Sequence, residues 1–519
     1  MKMRLTSAIH DFKHATPIAP TTQPPPISLS TLNSQLSTSA NGSVLIIVLW
    51  VAFGLVSLAL YFAYSMMFEL RAADNRVASL EAEQAIAGAA RYVSNILATT
   101  ETPGFMPDLQ SYESEAVPVG DATFWLIGRG DDQSQVDQVY FGLVDEASKL
   151  NLNTATTNML EWLPGITPEL AAAIIDWRDS DSDVSDGGAE DETYQRLTPA
   201  YRCKNAPFES VEELRLVYGM DLEILYGEDA NLNGVVDYNE NDGEVSFPND
   251  NRDGRLDPGL LEYVTVYSTE PNTRTNGEPR VVLNGTNETQ LTTLFTEKLG
   301  ADRATAILRQ AGIIVNNNTG GRAGGNTPRP GGSTPGGGGT GAGTGSTATF
   351  NSVLEFYTRS GMTADEFTQI EGDITASSAK SLPGLVNVNT ASEAVLACIP
   401  GIGTEFASTL VGQRQRSADL RSLAWIVEVL GSTNAVQAGR YLTVHTYQFT
   451  ADIAALGHYD RGYQRVKYIF DASDGTPRIV YRQDLTHLGW ALGEEVRDAL
   501  ETSNALGTRN ALQLSTQKR

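Results

Sequence analysis

An uncharged apolar run near the start of the chain constrains the fold more than any other feature. Val44 to Met67 reads VLIIVLWVAFGLVSLALYFAYSMM, which exceeds the roughly 20 residues that a helix needs to cross ~30 Å of hydrocarbon. Apolar residues then recur at helical spacing as far as Leu97. The pattern predicts one long helix, half inside a membrane and half outside it. A plain signal anchor followed by a stalk helix is the alternative interpretation.

The residues before this run predict how the helix is oriented. Residues 1–42 are rich in Pro, Ser and Thr, and we expect them to be disordered and cytoplasmic. The basic residues in this leader lie far from the apolar run, so the positive-inside rule adds little to the orientation. The large remainder of the chain is expected to fold on the extracytoplasmic side.

Composition excludes several classes of function. A formal net charge of -26 repels nucleic-acid phosphates, because binding through counterion release needs a basic surface. The two cysteines, Cys203 and Cys398, lack the paired spacing of a zinc site, and the sequence leaves open whether they form a disulfide. Five histidines are scattered without a nucleophile motif or metal-ligand spacing, so we do not expect an enzyme.

Two segments of the chain repeat each other. Asn151 to Ile166 reads NLNTATTNMLEWLPGI and Asn387 to Ile402 reads NVNTASEAVLACIPGI, with a fainter third copy from Asn284. Each strong copy predicts a helix-hairpin-helix, in which a Pro-Gly turn joins two short helices. We expect Asn153 and Asn389 to be the N-caps of the first helices. The predicted turn residues are Pro164, Gly165, Pro400, Gly401 and Gly403.

These hairpins have two interpretations, because in DNA-binding versions the glycine-rich turn offers its N–H groups to phosphate. The first copy is followed by Glu169 and Asp176, which repel phosphate, whereas the second is followed by Arg414 and Arg416. The acidic neighbours favour packing or protein contact over DNA contact.

An acidic stretch beyond the first hairpin predicts a calcium loop. The sequence DANLNGVVDYNE places oxygen ligands at the EF-hand positions, with Val235 giving its carbonyl. The side-chain ligands are Asp229, Asn231, Asn233, Asp237 and Glu240. A second, less complete loop follows at Asn249, Asn251, Asp253 and Asp257, where Glu262 is a candidate for the closing ligand. We expect one or two structural Ca²⁺ ions with dissociation constants of about 0.1 to 1 mM; a solvated acidic turn is the alternative.

The remaining pattern predicts strands and a linker. Ala122–Gly128 and Gln138–Val144 predict a hairpin, and residues 441–450, 463–470 and 478–485 predict an antiparallel sheet. The predicted organisation has seven parts: a leader (1–42), a transmembrane and stalk helix (43–100), a segment with the first predicted strands (101–150), a region with the first hairpin and the calcium loops (151–315), a Gly-rich linker (316–347), the second hairpin region (348–440) and the C-terminal strands (441–519).

Residues 174–220 carry a resemblance to a known family. The elements IIDWRD, GGAED followed by a tyrosine, YRCKNAPF and SVEELRLVYGM closely resemble the minor pseudopilin K of type II secretion systems, a type IV pilin-like family. The resemblance implies an α+β fold: a long N-terminal helix, half transmembrane, packs on an antiparallel sheet that carries a large, mainly helical insertion with helix-hairpin-helix repeats. It also implies an inner-membrane anchor with a periplasmic head and no enzymatic activity.

The same resemblance implies a role at the tip of a secretion pseudopilus. Prepilin peptidase would cut after Gly42 and leave Ser43 as an N-methylated first residue. Ile47 occupies the place where most pilin-like subunits carry a glutamate, which suits a subunit with no neighbour above it. The implied partners are the I- and J-type minor pseudopilins, together with the secretin or an exported protein, but no nucleic acid. A type IV minor pilin and a membrane-tethered DNA receptor are the alternatives.

Overall fold

The computed structural model of the chain describes residues 40–130, 138–245, 247–285, 287–314, 348–416 and 420–506. Its α-helices are α1 (Ala40–Thr99), α2 (Thr157–Leu160), α3 (Pro168–Arg178), α4 (Asp191–Tyr194), α5 (Leu222–Tyr226), α6 (Leu260–Tyr263), α7 (Glu288–Leu299), α8 (Ala301–Gln310), α9 (Val353–Ser360), α10 (Ala364–Thr368), α11 (Glu393–Ala397), α12 (Gly403–Arg414), α13 (Ala424–Ala438) and α14 (Gly493–Leu506). Its strands are β1 (Val117–Val119), β2 (Ala122–Ile127), β3 (Val144–Asp145), β4 (Leu150–Asn151), β5 (Val264–Thr265), β6 (Thr269–Pro271), β7 (Val281–Val282), β8 (Ile374–Thr375), β9 (Ser381–Pro383), β10 (Val386–Asn387), β11 (Leu442–Thr443), β12 (Gln448–Gly457), β13 (Arg461–Asp471) and β14 (Arg478–Asp484). The chain divides into two units, Met1–Leu70 and Arg71–Arg519, and each is described by itself.

The first unit contains the apolar N-terminal part of α1. Its large apolar side chains are exposed, and Trp50, for example, is 75% exposed. Within the described part of the chain, α1 is the one helix long and apolar enough to cross a membrane. Because apolar surface in water is unfavourable, such a helix needs lipid or other apolar helices around it. The prediction of one long apolar N-terminal helix is confirmed.

An antiparallel sheet is the frame of the second unit. Its strand order is β1-β2-β12-β13-β14, and β3 also pairs with β12. Every residue of β12 is buried, which makes it the central strand. The predicted strands at 463–470 and 478–485 correspond to β13 and β14, so the C-terminal antiparallel sheet is confirmed. The predicted strand at 441–450 is divided between β11 and β12, and β12 continues seven residues further, to Gly457.

Helices pack on both faces of this sheet. The part of α1 after Leu70 contributes a stripe of small and branched side chains to one face: Ala82, Ala85, Ile86, Ala89, Val93 and Leu97. On the opposite face, Val496 and Leu500 of α14 pack with Trp125 and Ile127 of β2. The alternation of side chains along β2 explains this arrangement, since neighbouring residues of a strand point to opposite faces. The prediction that a long N-terminal helix packs on an antiparallel sheet is confirmed.

The β12–β13 turn lies very close to the backbone of α1. A Cβ atom on Gly457 would lie 2.1 Å from Ala78 O, and one on Gly462 would lie 2.3 Å from Ser79 N. Gly462 also has a φ of 69°, in the left-handed region that favours glycine. Glycine at both positions therefore permits the close contact between the turn and the helix.

His458, in the same turn, connects it to α1 through two carboxylates. Its Nδ1 lies 2.7 Å from Glu81 Oε2 and its Nε2 lies 3.0 Å from Asp74 Oδ1. Arg461 also donates to Asp74, at 2.6 Å. Hydrogen bonds to the two carboxylates raise the pKa of His458 above its ordinary value. The protonated imidazole is therefore favoured in the folded chain.

We expect His458→Gln to lower the melting temperature at pH 6 and to have little effect at pH 9. A raised folded-state pKa gives stability that is fully present below the unfolded pKa of about 6.5 and is lost as the pH rises through the folded value. Thermal unfolding of the full-length chain in detergent across this pH range tests the prediction. His487→Gln is the control, because His487 is exposed and forms no ion pair with a described residue. An effect of His458→Gln that is equal at both pH values would contradict it.

The second strand of the predicted first hairpin is wrong. Gln138–Val144 is not a regular strand: Phe141 forms an isolated bridge with Ile127, and only Val144 continues into β3. β2 instead pairs with β1 and β12. The predicted acidic turn falls on residues 131–137, outside the described residues. The partner of β2 comes from the far end of the chain, which a local alternation pattern cannot reveal.

The middle region is largely helical and consists of three copies of one unit. In each copy, a two-residue strand before the helix pair runs parallel to a two-residue strand after it: β4 pairs with β5, β7 with β8, and β10 with β11. In each copy the second strand ends in a buried threonine, namely Thr265, Thr375 and Thr443. One continuous hydrophobic core, from Leu150 to Val444, joins the three copies. The faint third copy of the sequence is therefore a repeat of the fold, with α7 and α8 as its helix pair.

Asn153 and Asn389 are not N-caps, so that prediction is wrong. The caps are Thr156 and Ser392, whose hydroxyls accept from backbone N–H groups of the first turns. Asn153 instead donates to Phe208 O at 3.0 Å and accepts from Phe208 N at 2.8 Å. A side-chain amide carries both a donor and an acceptor. Binding the N–H and C=O groups of another residue uses both, whereas an N-cap needs only an acceptor.

The clamp recurs in the repeat of Asn284, and its donor half recurs in the repeat of Asn389. Asn284 donates to Phe350 O and accepts from Phe350 N, each at 2.8 Å, and Asn389 donates to Leu420 O at 2.8 Å. The asparagines therefore connect each repeat to the segment that follows its helix pair. The predicted Gly-rich linker at 316–347 lies outside the described residues, and the predicted domain boundaries stay predictions.

Candidate metal centre

The first predicted calcium loop folds around the side chain of its first residue. Asp229 accepts hydrogen bonds from Asn233 N and Gly234 N, each at 2.9 Å. Asn233 Oδ1 in turn accepts from Val235 N at 2.9 Å. Gly234 has a φ of 79°, the left-handed conformation that the sharp turn at position 6 of such a loop requires. The backbone thus encloses the oxygen atoms of Asp229 and Asn233.

The end of the loop closes onto its start. Glu240 accepts from Ala230 N at 3.0 Å and from Asp237 N at 2.9 Å. Asp237 Oδ2 accepts from the side-chain amide nitrogens of Asn231 and Asn233. The side chains at positions 3, 5 and 9 are therefore hydrogen-bonded to one another, while those at positions 1 and 12 accept from the backbone of the same loop.

Burial makes this cluster electrostatically unfavourable on its own. Asp229 is 2% exposed and Glu240 is 1% exposed. Burial raises the pKa of Glu240 to about 8 and also raises the pKa values of Asp229 and Asp237. A divalent cation would favour the ionised carboxylates and reverse these shifts. The all-oxygen set of donors fits Ca²⁺, which takes carboxylate, amide and carbonyl oxygens.

Two arginines from the sheet region hold the loop from outside. Arg465 of β13 donates to the carbonyl oxygens of Asn231 and Leu232 and forms a bidentate ion pair with Asp452 of β12, at 2.9 and 2.5 Å. Arg129 also donates to Leu232 O, at 3.2 Å. The side chain of Arg465 is completely buried. Sequence reasoning missed these arginines because they lie more than 100 positions from the loop and carry no motif.

The second predicted loop differs from the first in its exposure. Asn249, Asn251, Asp253 and Asp257 are all exposed. The carboxylate that contacts this loop is Glu228, which accepts from Asn251 N at 3.2 Å and from Asp257 N at 3.0 Å. Glu262, the candidate closing ligand, instead accepts from Arg129 Nε at 2.9 and 3.0 Å. A second calcium site stays a prediction.

The predicted hairpin turns lie at the surface, where Pro164, Gly165 and Pro400 are exposed and Gly401 and Gly403 are half-exposed. A Cβ atom on Gly401 would lie 2.5 Å from Asn434 O of α13, and Gly165 lies close to Ile224 of α5. Pro164 and Pro400 precede these two glycines, while Gly403 begins α12 with open space around its Cα. The turns thus contact neighbouring helices of the same chain.

Arg414, which follows the second hairpin, also forms its hydrogen bonds within its own repeat. Arg414 is 6% exposed and donates to Val388 O at 3.2 Å and to Ala391 O at 2.5 Å. Arg178 makes the matching contact with Ala155 O in the first hairpin, at 2.5 Å. Both guanidinium groups bind backbone carbonyl oxygens of their own repeat, so they are less available to bind phosphate.

The other predicted site residues belong to different parts of the chain. Gly42 and Ser43 lie at the N-terminal end of α1, and Ile47, 62% exposed, lies on the apolar part of the same helix. Cys203 and Cys398 are buried and free, so they do not form a disulfide with each other. Burial raises the pKa of Cys203 to about 11 and that of Cys398 to about 12.

Comparison with known proteins identifies the region around the first hairpin. Residues 144–226 match the family model described as type II secretion system (T2SS), protein K. The type II secretion system protein K of Klebsiella pneumoniae is 36% identical over 97 residues, 18% of this chain and 26% of the relative. This region of the chain is similar to the type II secretion system protein K family.

A second protein K, from Pectobacterium carotovorum subsp. carotovorum, is 41% identical over 56 residues, 11% of this chain and 17% of the relative. The chain thus aligns with about a quarter or less of the length of these protein K relatives. The solved GspK–GspI–GspJ complex of the enterotoxigenic Escherichia coli type 2 secretion system contains a chain with 10% sequence identity and a TM-score of 0.35, over 81% of this chain and 96% of that chain.

The matched region of the protein K family ends before the calcium loop. Its last residue, 226, is the end of α5, whereas the loop begins at Asp229. The matched region contains the first hairpin and the acidic segment after α3. The calcium prediction therefore depends on the loop's own residues and not on the family match.

Proposed function

We propose that this chain is a minor pseudopilin that caps the tip of a type II secretion pseudopilus and initiates its assembly. The observation that carries the proposal is the protein K match at residues 144–226 in a chain that begins with a long apolar helix. The same helix continues as the support of an antiparallel sheet. An anchor of this kind would keep the subunit in the membrane until it is incorporated into the growing filament.

The apolar half of α1 would hold the chain in the inner membrane, with the folded unit in the periplasm. Ile47 keeps this segment free of carboxylates, and a charged residue at the centre of a bilayer costs about 2.5–3.5 kcal/mol on insertion scales. A subunit at the tip has no neighbour above it whose terminal amine needs a carboxylate. Prepilin peptidase would cut between Gly42 and Ser43, and the new N-terminus would be methylated.

The proposed partners are the I- and J-type minor pseudopilins, whose apolar helices would pack beside α1. The solved relative is itself a GspK–GspI–GspJ complex, which suggests these partners by analogy. The folded unit would face the secretin or an exported protein. Burial of Arg414 and the packing of Gly401 against α13 favour this assembly role over a DNA receptor.

We further propose that residues 229–240 bind a structural Ca²⁺ ion. The support is the set of buried Asp229, Asn231, Asn233 and Glu240 with half-buried Asp237, whose carboxyl pKa values are raised. The ion would fix this loop between the sheet and the helical region, where Arg465 and Arg129 already hold its carbonyl groups. The periplasm exchanges with the medium, so an affinity of about 0.1 to 1 mM suits this location.

Co-isolation from membranes tests the proposed function. The full-length chain is coexpressed with the I- and J-type minor pseudopilins and the prepilin peptidase of the same genome, and is then extracted in detergent. We expect a complex that contains all three subunits, because their apolar helices and heads associate. The intact mass of the chain in that complex is expected to correspond to a methylated N-terminus at Ser43.

A shaft-type major pseudopilin, coexpressed alone with the chain, is the control and is expected not to form a discrete complex. If the I- and J-type subunits associate with each other but leave this chain behind, the tip proposal is wrong. Salt-dependent DNA binding by the purified chain would favour the receptor alternative instead. If the isolated chain still carries residues 1–42, only the proposed cleavage after Gly42 is wrong.

A further inference from the structure

A cavity of about 60 Å³ lies between the sheet and the helical region of the second unit. Its lining includes Thr450 of β12, Lys467 of β13 and Gln483 of β14 on the sheet side, and Tyr226 of α5 and Leu261 of α6 on the helical side. One water molecule needs roughly 10–15 Å³ of such space, so the cavity has room for about four waters or for one small polyatomic ion. It is much smaller than the pockets that hold larger organic ligands.

Lys149, immediately before β4, brings an ammonium group to this cavity without a partner. The residue is 9% exposed and forms no hydrogen bond or ion pair with any described residue. Burial lowers the pKa of Lys149, while the charges of Glu146 and Glu262 raise it. An ammonium group has donors and no acceptor, and burying it unpaired costs free energy. An acceptor bound in the cavity would therefore be stabilising at this position.

Lys467 of β13 adds a second ammonium group to the same cavity. It is half-buried, and its register partner on β12 is Asp452. Both oxygens of Asp452 accept hydrogen bonds from Arg465, at 2.9 and 2.5 Å, and Lys467 forms no ion pair with any described residue. The two lysines lie close enough that the charge of Lys467 lowers the pKa of Lys149. The cavity thus has two sets of N–H donors without an acceptor.

The carboxylates around the cavity do not fill these donors. Glu262 accepts from Arg129 Nε at 2.9 and 3.0 Å. Glu146 accepts from the hydroxyls of two threonines, one on β5 and one on β12. Glu212 also lines the cavity, and its Oε2 has no hydrogen-bond partner among the described residues. Glu146 and Glu212 offset the lysine charges through space, but neither accepts a hydrogen bond from a lysine in the part of the chain that the structure describes.

We propose that this cavity binds a small oxyanion, of the inorganic phosphate or short-chain carboxylate class, between Lys149 and Lys467. Such an anion offers several oxygens at once, so it can accept from both ammonium groups, and hydrogen bonds between charged groups are stronger than those to water. Leu261 and Leu485 form apolar walls, which lower the local dielectric and strengthen the attraction. The exposed His487 is part of the lining, so the cavity reaches solvent on that side.

The bound anion would connect the helical region to the sheet. Lys149 lies where the chain enters the first repeat, and Lys467 lies on β13. An anion shared by the two lysines would hold these segments together and compensate the buried charge of Lys149. The inference uses the cavity alone and does not depend on the function proposed above.

Calorimetric titration of the full-length chain in detergent tests the anion site. The probes are sodium phosphate and sodium acetate, added in a chloride buffer after dialysis has removed calcium. We expect one phosphate or acetate ion to bind per chain. Lys467→Met and Lys149→Met are each expected to weaken binding by about tenfold or more, the loss that follows from one charge-assisted hydrogen bond. Lys380→Met is the matched control, because Lys380 is exposed and outside the cavity lining, and it is expected to bind like the wild type.

Thermal unfolding separates a lost anion site from a damaged fold. In chloride, Lys467→Met is expected to melt close to the wild-type temperature, since Lys467 forms no ion pair with a described residue. Phosphate at equal ionic strength is expected to raise the melting temperature of the wild type and of Lys380→Met, but not that of Lys467→Met. An equal rise in Lys467→Met would overturn the proposal, because it would be the general effect of phosphate on protein stability. A wild-type chain that binds neither probe would also overturn it and leave the cavity to water.

Discussion

Replacing Arg465 with methionine is expected to lower the free energy of unfolding by about 3–5 kcal/mol, the usual cost of removing one partner from a buried ion pair. Arg465 is completely buried, and its guanidinium binds both oxygens of Asp452. Methionine fills much of the same volume but leaves the Asp452 carboxylate in the core without a counter-ion. It also removes the donors to Asn231 O and Leu232 O. Urea unfolding of the full-length chain in detergent measures the loss.

Two further variants separate the buried charge from other effects. Asp452→Leu/Arg465→Met removes both charges and is expected to be less destabilised than Arg465→Met alone. Arg478→Met removes an exposed arginine, paired with Asp474 on the surface at 2.7 Å, and is expected to cost less than about 1 kcal/mol. If Arg465→Met also lowers the free energy of unfolding by less than about 1 kcal/mol, the ion pair is not a main connection between the sheet and the loop.

This ion pair also explains where sequence reasoning misjudged the sheet. The predicted strand ends at Thr450, two residues before the charged Asp452. β12 nevertheless continues to Gly457 with every residue buried. Its counter-ion, Arg465, lies diagonally across on β13, two residues before Lys467, the register partner of Asp452. A pattern of single residues cannot show that two charges will cancel across a pair of strands.

The calcium loop shows the opposite case. Its predicted ligands lie within twelve consecutive positions, so their spacing alone predicts that they converge. In the structure, Asp237 accepts hydrogen bonds from the side-chain amides of Asn231 and Asn233, while Asp229 and Glu240 accept from backbone N–H groups of the same loop. Motifs of this kind are readable because the geometry is local. The side chains that hold the loop, Arg129 and Arg465, belong to distant strands and could not be found in the same way.

The repeats fall between these two cases. Matching letters identified two strong copies, and the third, at Asn284, was faint because its turn lacks the Pro-Gly pair. The structure shows that the clamp asparagine and the parallel strand pair are what the copies share. The role of the asparagine was misjudged, since N-capping is the commoner use of that residue before a helix. Its actual partner, a backbone segment after the helix pair, is 55 positions away for Asn153.

Replacing Asp229 with asparagine and Glu240 with glutamine is expected to abolish stabilisation of the loop by calcium. A site with a dissociation constant of about 0.1 to 1 mM adds about 1.4–2.7 kcal/mol at 10 mM Ca²⁺, from RT ln(1 + [Ca²⁺]/Kd). The wild-type chain is therefore expected to melt at a clearly higher temperature in calcium than in chelator. The double variant is expected to lose most of that difference, and differential scanning fluorimetry of the full-length chain measures it.

The chelator condition decides between a metal site and a turn stabilised by its own hydrogen bonds. Burial raises the pKa values of Asp229 and Glu240, so neutral side chains in their places relieve an unfavourable charge when no metal is bound. In chelator the double variant is thus expected to be at least as stable as the wild type. Glu244→Gln, at an exposed neighbouring position, is the control and should keep the full calcium effect. Equal destabilisation of the double variant in calcium and in chelator would make residues 229–240 a turn rather than a calcium site, because the loss would then come from the hydrogen bonds of Asp229 and Glu240 alone.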